Sequence, residues 1–268
     1  MQNIKLTLQY DGARYLGWQR PQKDGCEKTI SHKLVSILQK MTGESILLHA
    51  GAKTEPGVHA SGQTASFQTK AVFSPDHFRT ELNRYLPHDI AILSASEVPG
   101  RFRADLSAVS RTYEYLVCTA KVYDVFTAPY TAHFPIPLDE NAMKEAASLL
   151  IGRHDFLGFS GARAKKKTEK EIYDIRIICG LQNPRQYPSS ARPYTLGPEQ
   201  SAHFFAITIT ANDFLFRMPS LIMGTLLEVG AGKRTPGSLR DILEGREKAA
   251  SLCNTKGLLL KSVSYDNA

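Results

Sequence analysis

Clusters of cysteine or histidine are missing from this sequence. The four cysteines are far apart in the 268 residues, at Cys26, Cys118, Cys179 and Cys253, and the eight histidines are equally dispersed. Metal sites need ligands at short, regular spacings, so we expect no metal site. Cysteines without a pairing pattern are typical of reduced thiols in the cytosol. The sequence therefore predicts a cytoplasmic protein without a bound metal.

Long apolar runs are also absent. No stretch approaches the roughly 20 apolar residues that a membrane-spanning helix needs. Met1 leads almost directly into a strand pattern, which leaves no room for a signal or transit peptide before it. We therefore expect no membrane association and no targeting segment.

Acidic residues are outnumbered by basic ones. The chain has 33 Lys and Arg against 26 Asp and Glu, a formal net charge of +7, and its isoelectric point is about 9.2. This moderate excess is compatible with a polyanionic partner but does not establish one, because many basic proteins bind nothing acidic. With 42% hydrophobic residues, the chain can bury a core as one large domain or two smaller ones.

The N-terminal half has the element pattern of a split βαβ unit. Apolar and polar residues alternate from Ile4 to Tyr10, which is typical of a half-buried strand. Helical spacing follows from Ile30 to Met41 and ends at Gly43. Further strands are predicted at 46–48, 63–69 and 89–98, with a helix from Ser74 to about Tyr85. This order is β-α-β-β-α-β.

The C-terminal half repeats that order. Strands are predicted at 108–119, 171–179, 202–210 and 258–265, and helices after Asp139, at 214–229 and near 238–244. We therefore predict an α+β fold. Two related split βαβ halves, residues 1–106 and 107–268, would surround a mostly antiparallel sheet with a central cleft.

Two segments look irregular. Residues 160–168 carry Arg163, Lys165, Lys166 and Lys167. This segment is either a solvated basic loop or a phosphate contact, and the sequence favours neither. Residues 181–200 carry four prolines and little periodicity, which predicts an extended surface loop between strands.

The segment Ala50–Gln63 holds three glycines and a proline between apolar strands. It is predicted to be a loop, a common place for chemistry on a rigid scaffold. Glu55 precedes Pro56, which biases Glu55 towards an extended backbone. Lys53 and His59 flank this carboxylate. From these residues alone, a polar turn and a catalytic loop are both possible.

The loop resembles a motif of the TruA-type tRNA pseudouridine synthases, Gly-Arg-Thr-Asp-x-Gly-Val-His-x-x-Gly-Gln. The matching residues are Thr54, Gly57, Val58, His59, Gly62 and Gln63. Glu55 stands at the family's catalytic Asp, and Lys53 at its Arg. The resemblance implies that Glu55 is catalytic and that Lys53 contacts the substrate. It also implies that Thr54, Gly57, His59 and Gln63 shape the site.

Further family motifs follow in the expected order, from Tyr10 to Tyr265. Tyr-Asp-Gly at Tyr10 and Tyr-x-Gly-Trp-Gln at Tyr15 are both present, and we interpret Trp18 as a core or turn anchor. Phe102–Ala108 resembles Phe-His-Ala-Arg-Phe-Ser-Ala, with Arg103 in place of His and Asp105 in place of Arg. One basic position of this segment has therefore become acidic.

Residues 111–115 match the family's Arg-x-Tyr-x-Tyr. The resemblance implies that Tyr113 lies against the target base and that Arg111 holds phosphate or the catalytic carboxylate. Tyr113 and Tyr115 share one strand face, so the alternative is that both are core aromatics.

The helix after Asn212 carries the family's Arg that pairs with the catalytic Asp, but Ser220 occupies that position here. Arg217 lies three residues earlier, and positions i and i+3 share a helix face, so its guanidinium is expected to reach the vacated place. Leu258 lies in a segment resembling Gly-Leu-Tyr-Leu and is counted among the substrate-binding residues. Residues 152–156 match Gly-x-His-Asp-Phe, interpreted as a structural helix stop.

The resemblance implies a tRNA pseudouridine synthase that isomerises uridine in the anticodon stem-loop, at nucleotides 38 to 40. It implies a homodimer that binds tRNA and uses no cofactor. A uracil in a stacked helix must be flipped out and held on an aromatic platform. The alternative is an RNA-binding paralogue without turnover, because Lys53, Glu55 and Ser220 all depart from the family pattern.

Overall fold

A computed structural model describes residues 1–19, 26–122, 125–161, 167–181 and 203–266. The chain divides into two compact units, residues 1–112 with 259–268, and residues 113–258. Arg163, Lys165 and Lys166 of the expected basic loop lie outside the described residues, as does the proline-rich segment from residue 182 onward.

The first unit is built on an antiparallel sheet. Its strands are β1 (Gln2–Tyr10), β2 (His49–Ala50), β3 (His59–Thr69) and β4 (Ile90–Glu97), joined by β10 (Leu258–Tyr265) from the end of the chain. The order is β4-β1-β3-β10, and β2 also pairs with β3. Strand β1 runs antiparallel to β3, from Gln2 opposite Thr69 to Tyr10 opposite Ala60. Only β10 pairs with β3 in the parallel sense among the pairings described in this unit.

Two helices belong to this unit, α1 (Ile30–Thr42) and α2 (Pro75–Tyr85). The side chains of Thr29 and Ser74 cap their N-termini by accepting hydrogen bonds from backbone amides, which satisfies donors that a helix start leaves unpaired. Helix α1 buries Ile30, Leu34 and Leu38, one residue per turn. Burial of each such side chain stabilises the fold by about 1.5–3 kcal/mol.

The second unit is also built on mostly antiparallel strands. Its strands are β5 (Ala108–Cys118, which enters the unit at Tyr113), β6 (Ala132–His133), β7 (Gly152–Asp155), β8 (Glu169–Cys179) and β9 (Phe204–Ala211). Their order is β5-β9-β8-β7, with β6 parallel to β5. Strand β9 alternates isoleucine and threonine from Ile207, and Ile207 and Ile209 are fully buried.

The described residues of this unit include three α-helices, α3 (Glu140–Ser148), α4 (Met218–Gly230) and α5 (Ser238–Leu243). Helix α4 is its central helix, since 11 of its 13 residues are buried. A side chain cannot replace Gly224, because its Cβ would lie 2.2 Å from the carbonyl oxygen of Ser251. Among the described residues, no helix has both the length and the apolar character required to cross a membrane.

The predicted α+β fold with a mostly antiparallel sheet is confirmed. Three local predictions need correction. Helix α4 begins at Met218 rather than near Phe214, because Arg217 has a left-handed backbone (φ 63°) that interrupts the helix. The expected helix stop at Gly152 is instead strand β7, paired with β8. The strand predicted at 46–48 is two residues long and lies at His49–Ala50.

Candidate active site

The predicted catalytic loop lies between β2 and β3 of the first unit. Residues 51–58, which we call the Glu55 loop, connect Ala50 to His59. The loop was expected to extend to Gln63, but His59–Gln63 belong to β3, because Tyr10 and Leu8 of β1 pair with Ala60 and Gln63. The C-terminal part of the motif is therefore part of the rigid sheet.

Buried side chains of β1 and β3 hold the first half of the Glu55 loop. The Gln63 amide donates to the carbonyl of Ala52 (2.7 Å) and accepts from its N–H (3.2 Å). The Tyr10 hydroxyl lies 2.8 Å from Thr54 Oγ1, and Gln63 Nε2 donates to the Tyr10 oxygen at 3.3 Å. Burial raises the pKa of Tyr10 to about 12, so this hydroxyl stays neutral at physiological pH.

The end of the loop is held at His59, which is 1% exposed. Its Nδ1 lies 3.2 Å from the backbone nitrogen of Gly12 and 3.1 Å from Asp11 Oδ1. A neutral Nδ1 accepts from the Gly12 N–H, whereas a protonated one donates to Asp11, so the ring makes one of the two bonds at a time. Either bond ties the start of β3 to the Tyr-Asp-Gly motif that follows β1.

The backbone of the N-terminal motif packs directly on the Glu55 loop. The Trp18 N–H donates to the Thr54 carbonyl at 3.0 Å, and the Gly57 N–H donates to the Tyr15 carbonyl at 3.2 Å. Gly17 has a φ of +86°, and a Cβ built there would lie 2.5 Å from the Thr54 oxygen. Trp18 itself is fully buried, which confirms its predicted role as a core anchor. The loop and the segment 15–18 thus form one packed structure.

Glu55 is half-buried, whereas Lys53 is exposed. The Glu55 carbonyl accepts a hydrogen bond from the Val58 N–H at 3.2 Å, which closes a turn around Pro56 and Gly57. This turn sets the direction of the backbone at Glu55. A polar turn and a catalytic loop are therefore compatible interpretations, and the catalytic role expected for Glu55 stays a prediction.

Arg111 is buried and makes several hydrogen bonds to backbone carbonyls. Its guanidinium donates to Gly51 (3.0 Å), Asp105 (3.1 Å) and Ala108 (3.4 Å). A buried guanidinium needs such acceptors, since an unpaired buried charge is costly. These bonds link the first residue of the Glu55 loop to the segment before β5. The substrate-binding role expected for Arg111 stays a prediction.

The segment 102–108 contains an ion pair between two of its own residues. Arg103 donates to Asp105 at 2.7 Å, and His49 Nδ1 lies 3.9 Å from the same carboxylate. Burial alone raises the pKa of the Asp105 carboxyl, but the hydrogen bond and charge of Arg103 outweigh it and hold that pKa below its usual value. The acidic substitution at Asp105 is therefore matched by the basic one at Arg103.

In the second unit, Tyr113 lies at the start of the buried part of β5. It is 6% exposed, and its ring meets Phe214 edge-on at 5.2 Å and 88°. Tyr115 is 1% exposed, and burial, with a smaller effect of Cys253, raises its pKa well above the ordinary value. Tyr115 is thus a core aromatic. The role expected for Tyr113, against the target base, stays a prediction.

Arg217 does not lie on helix α4. It precedes the helix in a left-handed conformation, with its guanidinium carbon 5.1 Å from the ring centre of Phe216. Ser220 is in the first turn and fully buried. The expectation that the two positions share a helix face is therefore wrong, because only one of them is helical. Leu258, at the start of β10, is fully buried.

Sequence reasoning missed Tyr10 and the two-sided contact of Gln63 as parts of this site. Both residues lie in recognised motifs, and Gln63 was expected to shape the site, but no pattern linked it to Ala52. The one signal available was that Tyr10 ends a strand directly before the Asp11–Gly12 turn. That signal does not show where its hydroxyl points.

Known proteins match the chain over nearly its full length. The profile of a family described as tRNA pseudouridine synthase matches residues 146–266. The "tRNA pseudouridine synthase A" of Bacillus sp. (strain KSM-64) is 34% identical over 267 residues, covering 99% of this chain and all of the relative. That of Caldicellulosiruptor bescii is 36% identical over 269 residues, with the same coverage. The chain belongs to the tRNA pseudouridine synthase family.

Because the chain belongs to the tRNA pseudouridine synthase family, the residues that differ from the family motif can be compared with those that match it. Ala52, Lys53 and Glu55 differ from the pattern within the loop, whereas the anchoring residues Tyr10, His59 and Gln63 match it. Further departures, at Arg103, Asp105 and Ser220, lie outside the loop. The anchors of the Glu55 loop are thus kept.

Proposed function

We propose that this protein isomerises uridine to pseudouridine in tRNA. The observation that carries the proposal is full-length similarity to proteins named tRNA pseudouridine synthase A. The reaction breaks the bond from ribose C1′ to uracil N1 and joins C1′ to C5. The C5 hydrogen leaves as a proton, and N1 gains one, so no oxidant or reductant takes part.

Glu55 is the catalytic carboxylate in this proposal. It either attacks the sugar or removes a proton from it, and for both it must be ionised. Pro56 biases its backbone towards an extended conformation, and Tyr10 and Gln63 hold the residues before it. Compared with Asp, Glu reaches about 1.5 Å further. The distance between the loop backbone and the reacting sugar must therefore be correspondingly longer.

Tyr113 provides the platform for the flipped uracil, and basic side chains neutralise phosphates and keep the carboxylate ionised. Lys53, Arg111 and Arg217 are the proposed cations. Lys53 is exposed and flexible, which suits a phosphate contact better than the two-pronged pairing that Arg makes with a carboxylate. Leu258 is proposed to belong to the substrate-binding site as well, and because it is fully buried, a direct contact needs its neighbours to move when the substrate binds.

The finer features follow the family resemblance. We infer that the target uridine lies in the anticodon arm, that the active form is a homodimer, and that the protein works in the cytoplasm. The basic net charge of +7 supports a polyanionic substrate. Size-exclusion chromatography with light scattering tests the dimer independently of activity.

A tritium-release assay tests the function. Full-length protein is incubated with tRNA carrying 5-tritiated uridine, and wild type is compared with Glu55→Gln and Glu55→Asp. Glu97→Gln serves as the matched control, because Glu97 is an exposed carboxylate of the same unit. Wild type and Glu97→Gln should release tritium, and Glu55→Gln should not.

Two results contradict parts of the proposal. If the wild-type protein binds tRNA without releasing tritium, the proposed enzymatic activity is rejected and an RNA-binding role remains. Full release by Glu55→Gln keeps the enzyme but excludes Glu55 as its carboxylate. Rescue of a silent wild type by Glu55→Asp shows that the extra methylene had silenced the site.

A further inference from the structure

We infer that Tyr10 and Gln63 are positioning residues, which set where the Glu55 loop presents its carboxylate. The inference rests on the proposed function, because it assigns these residues to the catalytic step of that reaction. Neither residue need touch the substrate. Their effect is transmitted through Ala52 and Thr54, the residue immediately before Glu55.

Gln63 binds both backbone groups of one loop residue, the N–H and the carbonyl of Ala52. Its side-chain oxygen accepts from the Ala52 and Thr64 N–H groups, at 3.2 and 3.1 Å, and its nitrogen donates to the Ala52 carbonyl at 2.7 Å. In the reversed amide orientation, donors would face donors, so the orientation is determined by its partners. Gln63 is fully buried within the rigid strand β3. It therefore holds Ala52 of the loop at a fixed position relative to strand β3.

Tyr10 makes the second connection. Its hydroxyl lies between Thr54 Oγ1 at 2.8 Å and Gln63 Nε2 at 3.3 Å. Tyr10 is 4% exposed and Thr54 is 6% exposed, so water does not readily replace a lost partner. The ring also packs against Trp18, with centroids 6.4 Å apart, which fixes the direction of the hydroxyl.

The expected consequence is a loss of rate with little loss of affinity. Without the Tyr10 hydroxyl, Thr54 loses a buried partner and the loop relaxes next to Glu55. A misplacement of about 1 Å costs on the order of a hundredfold in rate. Because the substrate contacts elsewhere are unchanged, tRNA affinity should stay the same.

Tyr15 offers a matched control. It is also a buried tyrosine of the first unit (6% exposed), and its hydroxyl donates a hydrogen bond to Asp89 at 2.7 Å. Its backbone carbonyl accepts from the Gly57 N–H of the Glu55 loop, and phenylalanine keeps that hydrogen bond. Tyr10→Phe removes the hydrogen bonds to Thr54 and Gln63, which hold the loop. Tyr15→Phe removes the hydrogen bond to Asp89, which lies outside the loop.

The experiment compares wild type, Tyr10→Phe, Gln63→Met and Tyr15→Phe for kcat, KM, tRNA affinity and melting temperature. We expect kcat to fall about 10- to 100-fold in Tyr10→Phe and Gln63→Met with tRNA affinity within twofold of wild type. Tyr15→Phe should lose a similar amount of stability but keep its kcat. Equal kcat in Tyr10→Phe and Tyr15→Phe overturns the inference.

Amide hydrogen exchange separates this inference from the proposed function. Tyr10→Phe should speed exchange in residues 50–58, whereas Tyr15→Phe should not. If wild type releases no tritium, the proposed function fails, and unchanged exchange at 50–58 in Tyr10→Phe then overturns the anchoring role as well. Faster exchange limited to Tyr10→Phe supports the anchor whatever the reaction is.

Discussion

Replacing Gly17 with alanine is expected to displace the Glu55 loop without removing any of its side chains. Gly17 lies in the N-terminal motif, and its missing side chain is what lets the backbone of Thr54 and Glu55 approach. A Cβ there would lie 2.5 Å from the Thr54 oxygen and 2.9 Å from the Glu55 carbonyl carbon. Both obstacles are backbone atoms, which cannot rotate away as a flexible side chain can.

The size of the effect follows from these distances. Ordinary contact begins at 3.4 Å, so the Thr54 oxygen must move by about 0.9 Å. A shift of this size next to a catalytic group costs on the order of a hundredfold in rate. Alanine at the positive φ of +86° adds a folding cost of roughly 1–2 kcal/mol. The two effects need to be measured separately.

Gly43 allows that separation. It has a similar φ of +72° at the end of α1, but nothing lies within 4 Å of a Cβ built there. Gly43→Ala therefore has the backbone cost without the collision. We expect its melting temperature to fall by a few degrees and its kcat for tritium release to stay within twofold. Gly17→Ala should lose more stability and about 10- to 100-fold in kcat.

The comparison is made with full-length protein well below both melting temperatures, so that each variant is folded. Circular dichroism at the assay temperature confirms this. If Gly17→Ala keeps the kcat of Gly43→Ala, the loop tolerates the shift, and the link between loop position and rate is refuted.

Three further predictions concern other parts of the molecule. The pKa of Glu44 is lowered by the hydrogen bond from the Thr69 hydroxyl and then by the Lys70 N–H. Because its folded pKa lies below the unfolded value near 4.5, Glu44 stabilises the fold above that pH and loses this effect as the pH falls through the folded pKa. Glu44→Gln should lower the melting temperature at pH 7 and flatten its acid decline, and an unchanged decline would contradict this. Tyr113→Ala should abolish tritium release, whereas Tyr113→Phe should retain release because it keeps the ring on which the base stacks. An equal loss of release in both variants would exclude a stacking role. Phe156→Ala removes a fully buried ring and should cost about 3–5 kcal/mol in urea unfolding, with the exposed Leu157→Ala as a control expected to change little.

The sequence by itself determined the elements whose signals are local. Strand β1 was predicted from its alternation because a strand with one buried face needs a period of two. Helix α1 was predicted to end at Gly43, which has the left-handed backbone that glycine adopts readily. Glu55 was identified from its motif, which is contiguous in the chain. In each case neighbouring residues carry the whole signal.

The tertiary structure decided what depends on distant partners. Strand β7 is short and polar, and it exists because β8 supplies its hydrogen bonds. The start of α4 moved because the conformation of Arg217 interrupts an apolar pattern that looks helical throughout. Neither feature leaves a periodic trace in the sequence.

The Glu55 loop also combines a feature that the sequence shows with contacts that only the tertiary structure shows. Its catalytic candidate is visible in the sequence, but its anchors are not, since the Tyr10 hydroxyl meets Thr54 across 44 positions and the Gln63 amide meets Ala52 across 11. A hydrogen bond between side chain and loop depends on distance and direction, which only the folded sheet supplies. The sequence thus determined which carboxylate the loop carries, and the tertiary structure decided how the residues before it, Ala52 and Thr54, are held.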